Sequence, residues 1–359
     1  MVVSDPSDGV SECPDTTKTP KPPDGLHPPG TGARDNHRVL DVVISLALLV
    51  VGAALLTAGA EGFAENVTAA SSRVGVSVLG LALLLAGAEP EEAVTAMLAS
   101  GQGHPALAAG DAIGANLVIL TLTLGLAALV TRLPVTRRGL EYAGASAVLG
   151  AVAWLFLLNG VLGRLEGAVL VLLYVAGVLW VWQRERQPPL IGELAELDAK
   201  DELRPTGGTD EATGRALLLV LFGLLGMVAG GFLAVRGAEG LVGVLGIRES
   251  AIGLTLLALS TSAEMVALVW AAHRRGLTEV VVAGTVGSVA YNATVSLGLA
   301  GLVSPLGLGR HNEIITVAGA TALLPLVLLL GARSGRLPRP VGALLVVGYV
   351  AVVGYLLAP

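Results

Sequence analysis

From Val39 onward the chain alternates long apolar segments with short polar breaks, ten times over. The segments run 39–63, 73–100, 105–131, 138–162, 165–183, 215–238, 249–273, 277–303, 312–332 and 338–357. A helix needs about 20 apolar residues to cross a hydrocarbon core, so each segment reads as a transmembrane span. Two stretches break the rhythm. Residues 1–37 are rich in Pro, Gly, Asp, Ser and Thr and cannot bury enough apolar surface to fold, which predicts a disordered N-terminal tail. Residues 184–214, with QRERQPP and PTGGTDEATG, form the longest later interruption and divide the spans five and five. The expected fold is an all-α polytopic membrane protein of about ten transmembrane helices. Its expected parts are the tail 1–37, a five-helix unit 38–183, a linker 184–214 and a second five-helix unit 215–359.

The two halves repeat. Sliding the second over the first places Gly80 on Gly253, Leu81 on Leu254, Glu91 on Glu264 and Gly114 on Gly287. Just upstream, Gly59-Ala60-Glu61-Gly62 matches Gly237-Ala238-Glu239-Gly240 after a shift of five residues around Thr68–Ser72. Five helices per copy is an odd number, so the second copy starts from the opposite membrane face. The expectation is therefore two inverted five-helix repeats with a site near the midplane between them, the usual plan of secondary transporters.

Chemistry concentrates where the copies match best. Ala86-Gly87-Ala88-Glu89-Pro90-Glu91-Glu92 and Leu259-Ser260-Thr261-Ser262-Ala263-Glu264-Met265 each set a carboxylate inside an apolar span. Such a group is costly in a membrane and is read by default as functional. Pro90 lacks an N–H and its ring clashes with the preceding turn, so the helix kinks or breaks there and frees carbonyls beside Glu91. Carbonyls, carboxylates and the hydroxyls of Ser260 and Thr261 make an oxygen-rich cluster suited to a hard cation. Downstream, Gly110-Asp111-Ala112-Ile113-Gly114-Ala115-Asn116 and Gly284-Thr285-Val286-Gly287-Ser288-Val289-Ala290-Tyr291-Asn292 are small enough for close helix approach. That approach would turn Asn116, Ser288 and Asn292 toward the glutamates. Ordinary small-residue packing is the competing account of these positions. Glu89 and Asp111 are further acids facing the cavity or its mouth. Glu61, Glu65 and Glu239 read either as gates or as solvated carboxylates at helix ends. His104, His273 and His311 fall in expected loops and read as exposed.

These segments are similar to the two alpha repeats of the cation/calcium antiporter superfamily, which includes the sodium/calcium exchangers. Its pattern resembles G-T-S-x-P-E followed by G-S-N-x-x-N or G-S-N-x-x-D. The resemblance covers most of 39–357, with its specific part in 80–119 and 253–292. It implies a ten-helix fold of two inverted repeats, with Glu91 and Glu264 as central calcium-binding carboxylates. The departures are informative. Gly87 and Ala88 stand in the Thr-Ser positions of the first copy, Ala115 in place of Ser, and Ile119 at the last amide position. The second copy has Ser260-Thr261, Ala263 for Pro, Val289 for the first Asn and Asn292 at the last polar position. Side chains that resemble sodium ligands in the family are thus missing, mostly from the first repeat, and H⁺ becomes a candidate counter-ion.

Composition narrows the functional classes. Only 14% of residues are charged, against roughly 25% in a soluble chain. The sequence pI of 5.4 gives no support to nucleic-acid binding. The single cysteine, Cys13, excludes an internal disulfide framework. No phosphate-binding G-x-x-x-x-G-K-[ST] motif occurs, and no intramembrane nucleophile–base or aspartate pair is evident, so neither ATP-driven transport nor an enzyme is expected. The leading expectation is a secondary antiporter of the cell membrane that exchanges Ca²⁺, or a similar divalent cation, for Na⁺ or H⁺ by alternating access, without a cofactor. Its partners are the lipid bilayer and inorganic cations. A membrane scaffold with a degenerate ion site, non-transporting or differently selective, is the alternative. One set of loops carries Arg73, Arg132, Arg137, Arg138, Arg274, Arg275, Arg333, Arg336, Arg339 and the basic residues of 184–214. The opposite set carries only Arg164, Arg236, Arg248 and Arg310, besides the basic residues of the tail. That bias places the central loop in the cytoplasm and both termini outside.

Overall fold

The computed structural model describes residues 31–74, 89–131, 133–185, 210–266, 269, 278–309 and 312–358. Most of the tail and of the linker therefore lie outside the described residues, as do Gly80, Gly87, Ala88, His273 and His311. By its contacts the chain divides at Val39, and Leu40–Pro359 forms one compact unit. Residues 31–39 belong to the other unit and are helical.

Ten helical segments follow the ten apolar stretches. The first five are α1 (Thr31–Val74), α2 (Pro90–Gly101), α3 (Pro105–Val130), α4 (Arg137–Leu157) and α5 (Arg164–Glu185). The second five begin with α6 (Asp210–Leu245) and α7 (Glu249–Thr261). Next comes α8, which runs Thr278–Tyr291, through Asn292–Ser296, to Leu297–Val303. The last are α9 (Asn312–Leu323, tightening to a 3-10 helix over Leu324–Gly331) and α10 (Arg339–Leu357). Eight of them contain a stretch long and apolar enough to cross a membrane among the described residues. The two shorter ones among the described residues are α2, which carries Glu91, and α7, which ends at Thr261 just before Glu264. Helix α1 starts at Thr31, inside the stretch that the sequence assigns to the tail. Hydropathy marks only the lipid-facing part of a helix, and polar turns can continue it into water with every internal hydrogen bond intact.

Burial sorts the helices into layers. In α3 and α8, 78% of the apolar window is buried, against 22% in α1 and α10. The exposed side chains of the outer helices are apolar, including Leu172, Leu344, Val347 and Val350, as contact with lipid requires. Helices α3 and α8 also share a π-helical turn at matching places, Val118–Thr123 and Asn292–Ser296. Such bulges widen the helix and leave carbonyls loosely paired.

Contacts between the halves come in reciprocal pairs. Helix α3 packs on α7 and α10, while α8 packs on α2 and α5; α4 and α9 face each other. The loops obey the same rule. Strand β1 (Val161–Leu162), after α4, pairs antiparallel with β2 (Leu306–Gly307), after α8. Its counterpart under exchange of the halves is the bridge between Pro134, after α3, and Arg336, after α9. One crossing, α4, separates the two pairings, so they lie on opposite membrane faces, and equivalent contacts on opposite faces mean inverted repeats. The pairing also settles a crossing. Among the described residues, α5, α6 and α8 are the full-length spans between β1 and β2. An odd number would leave the strands on opposite faces, so the segment containing α7 supplies the fourth crossing. Cysteines at Val161 and Gly307 are accordingly expected to form a disulfide, since directly paired antiparallel residues have Cα atoms about 4.5–5.5 Å apart. Proteolysis within 184–214 should then leave two fragments joined until reduction; separate fragments under oxidising conditions would refute the pairing.

Glycine governs the contact between α1 and α6. Ser45 meets Gly237, Gly52 meets Gly230, and Gly59 meets Gly223, three layers at seven-residue spacing on antiparallel helices. A methyl group on Gly52 would sit 2.5 Å from the Ala234 backbone nitrogen, and one on Gly59 would sit 2.7 Å from the Gly223 carbonyl oxygen. Backbone touches backbone along this seam.

Candidate cation-binding site

Both glutamate segments are interrupted, for different local reasons. Helix α2 begins at Pro90, which has no N–H to donate and is tolerated in the first turn. Glu89 precedes it with non-helical angles, φ −109 and ψ 81, and its carbonyl accepts from the backbone N–H of Glu92 at 3.1 Å and of Ala93 at 3.3 Å. Glu91 and Glu92 follow in the first turn, where the helix dipole favours negative charge. No proline breaks the second copy. There α7 ends at Thr261, Ser262 turns, and residues 263–266 are helical again. The Ser260 hydroxyl donates to the Leu257 carbonyl at 2.7 Å, and Thr261 Oγ1 lies 3.1 Å from the Ala258 carbonyl, which also accepts the Ser262 N–H at 3.0 Å.

Close packing brings the two breaks together. A methyl group on Gly114 would lie 2.7 Å from the Leu254 Cα and carbonyl oxygen, and one on Gly110 would lie 3.0 Å from the Gly253 Cα. Helix α3 therefore touches α7 backbone to backbone, which sets Asp111 against Thr261. Three carboxylates of the first repeat then each receive one hydrogen bond from the second. The Thr261 hydroxyl donates to Asp111 Oδ1 at 3.2 Å, the Ser262 hydroxyl to Glu92 Oε1 at 2.5 Å, and the Asn292 amide to Glu89 Oε2 at 3.1 Å. The other oxygen of each, Asp111 Oδ2, Glu92 Oε2 and Glu89 Oε1, is buried without a hydrogen bond. Glu264 lies close enough to act electrostatically on Glu89 and Glu92, and Asp111 on Glu92. The missing hydroxyls of the first repeat are thus offset by additional acids, and the second repeat supplies the neutral donors.

The seven side chains nominated from the sequence divide between this cluster and its edges. Asn292, Thr261 and Glu264 belong to it. Ser288 is fully buried beside Glu89. Glu91 is fully buried in the first turn of α2. The Asn116 amide donates across the repeats to the Val289 carbonyl at 3.1 Å, leaving Oδ1 buried without a hydrogen bond. Ser260 is half-buried, with its hydroxyl turned to its own helix. Glu92 and the Ser262 hydroxyl pair with each other outside that nomination. The signal available in sequence was a further acid in the same span as Glu91, three residues after Glu89. Among the described residues no three Asp, Glu, His or Cys side chains converge as a ready-made metal shell.

His104 corrects an expectation. It is not an exposed loop residue: its Nδ1 lies 3.0 Å from Glu249 Oε1 and its Nε2 3.8 Å from Glu239 Oε1, with 19% of the side chain accessible. The α2–α3 loop is thereby tied to the start of α7. Glu61 is exposed, while Glu239 also pairs with Arg236.

The profile of the family described as sodium/calcium exchanger protein matches residues 44–183 and 215–358. The chain is 28% identical over 321 residues to inner membrane protein YrbG of Escherichia coli, covering 86% of this chain and 95% of that protein. It is 24% identical to the sodium/calcium exchanger MaX1 of Methanosarcina acetivorans, covering 86% of this chain and 97% of the other. The fold matches a structure of the sodium-calcium exchanger NCX_Mj, soaked with Na⁺ and Sr²⁺, with a TM-score of 0.54 and 22% identity. That match covers 87% of this chain and 98% of the other.

Proposed function

Because this chain belongs to the sodium/calcium exchanger protein family, a family of transporters and not of enzymes, we propose that it is a secondary antiporter exchanging Ca²⁺, or a similar divalent cation, for Na⁺ or H⁺ across the cell membrane by alternating access. Glu91 and Glu264 are the central carboxylates of the cargo site, with oxygens of Ser260, Thr261, Asn116, Ser288 and Asn292 completing it. The observation that carries this reading is the gathering of buried acids at two helix breaks, each acid of the Glu89, Glu92 and Asp111 group tied across the repeat boundary. A divalent cation that has shed its water needs hard oxygen ligands and negative charge, and this seam offers both. Since the bonds cross between repeats, moving one repeat against the other changes the site itself. Cargo and counter-ion neutralise the same carboxylates, so binding of one favours release of the other. The excess of Lys and Arg in the loops after odd-numbered spans supports a cytoplasmic central loop and both termini outside.

The counter-ion divides by ligand type. Sodium is held chiefly by neutral oxygens, which Gly87, Ala88, Ala115 and Ile119 do not supply, whereas protons need only carboxylates. Calcium uptake by inside-out vesicles, under an imposed Na⁺ gradient and separately under an imposed pH gradient, tests this. Uptake under either supports antiport and names the counter-ion. Uptake of no divalent cation under either gradient sinks the proposal in favour of a non-transporting scaffold.

A further inference from the structure

The repeat pattern leaves one position open, the x before proline in G-T-S-x-P-E, and here that position is Glu89. As the residue preceding Pro90 it stands outside the α2 helix with non-helical backbone angles, and it is 2% exposed. Three residues of the second repeat gather around it. Asn292 donates to Oε2 at 3.1 Å and is itself fixed by the Ser296 hydroxyl, which donates to Asn292 Oδ1 at 3.1 Å. Ser288, one turn earlier on α8, lies beside the same carboxylate, with its hydroxyl near enough to act on it as a donor. Glu264 brings a second negative charge from just beyond the end of α7. Glu89 Oε1 is buried and unpartnered.

Buried polar atoms are almost always paired, because an unpaired one forfeits its hydration with no return. Two carboxylates held close in this seam leave negative charge uncompensated, and Glu89 Oε1 and the Ser288 hydroxyl oxygen both have lone pairs to offer. A cation satisfies all of them at once. We propose that Glu89 is a cation ligand, forming with Ser288 and Glu264 a binding position for a divalent cation at the end of α2, and that Asn292 orients its carboxylate. The proposal rests on the antiporter reading above and adds to it a ligand that the repeat pattern does not assign.

The test uses purified full-length protein with Ca²⁺ as the probe, reading thermal unfolding with and without the ion and uptake into proteoliposomes. A ligand that binds the native state raises its unfolding temperature, and the wild type should show this. Glu89→Gln should unfold at or above the wild-type temperature without Ca²⁺, since it removes an unbalanced buried charge. Its Ca²⁺-induced shift should vanish, and half-maximal uptake should need about tenfold more Ca²⁺ or greater, as loss of one charged ligand moves affinity by decades. Glu141→Gln, at a surface ion pair with Arg137, should behave as wild type. If Glu89→Gln does not fold, Glu89→Asp keeps the charge and withdraws the oxygens, and it should weaken Ca²⁺ in both readouts. A wild-type response to Ca²⁺ in Glu89→Gln or Glu89→Asp overturns the assignment and leaves the antiporter reading standing. No response of the wild type to Ca²⁺, or to Sr²⁺ or Mn²⁺ in its place, overturns both.

Discussion

Glu264→Gln is expected to bring divalent-cation uptake down to background while the protein still accumulates in the membrane. Glutamine keeps the size of the side chain and much of its hydrogen bonding, and removes only the charge. Glu264 lies just beyond the turn at Ser262, near enough to Glu89 and Glu92 to act on both, and it is the acid that the second repeat brings to the cluster among the described residues. A divalent cation stripped of water in a low-dielectric seam depends on such charge, because desolvation costs several kcal/mol per ion in real proteins. A loss of about 100-fold in cation affinity, equal to ~2.7 kcal/mol, is the expected scale, and uptake with saturating gradients is the measurement. Glu91→Gln should fail in the same assay. Retention of full uptake in either variant, at wild-type expression, would remove that carboxylate from the cargo site.

The second large effect is structural. Gly230→Ala would place a methyl carbon 2.6 Å from the Leu56 backbone nitrogen and 2.7 Å from the Gly52 carbonyl oxygen. Neither neighbour is a side chain that can rotate away, so α1 and α6 would have to separate along a seam where glycine recurs every seventh residue. Overpacking a well-fitted interior costs about 1–3 kcal/mol, and here the strain spreads to the Gly59–Gly223 layer as well. A lowered unfolding temperature is expected for Gly230→Ala, and loss of folded protein for Gly230→Leu. Gly144→Ala is the matched control. Nothing lies within 4 Å of the added methyl, and alanine gains about 0.5–1 kcal/mol over glycine in a helix, so its sign should be opposite. Equal effects at 144 and 230 would mean that the seam is not tight.

Apolar run length was enough to read eight long spans, because lipid imposes it directly. It also read 73–100 and 249–273 as spans, without showing that the second is interrupted at Ser262. Pro90 announces a break; Ser262, whose type sits in helices as well as in turns, does not. The paired glutamates were visible because the repeat places them in register, and Asn292 because it stands at the last polar position of the second copy's motif. Their partners were not. That Glu92 takes Ser262 and Asp111 takes Thr261 depends on how closely α3 meets α7, a fact set by Gly110, Gly114 and Gly253 meeting face to face. His104 shows the same limit, because a loop position says nothing about Glu249 arriving from the other half. The seven-residue glycine spacing of α1 and α6 was present in the sequence, but its meaning needs both helices side by side.

The crowding of Glu89, Glu92, Asp111 and Glu264 at one seam bears on what happens when no cargo is at hand. An ion-free carrier would have to carry mutually repelling charge through a dry constriction as its repeats re-orient, and that passage is the least favourable of all its states. On the antiporter reading, loaded forms would cross and bare forms would stall. The cluster would thus act as a brake on slippage, so that a cell holding this protein would not drain its own gradient through an idling carrier.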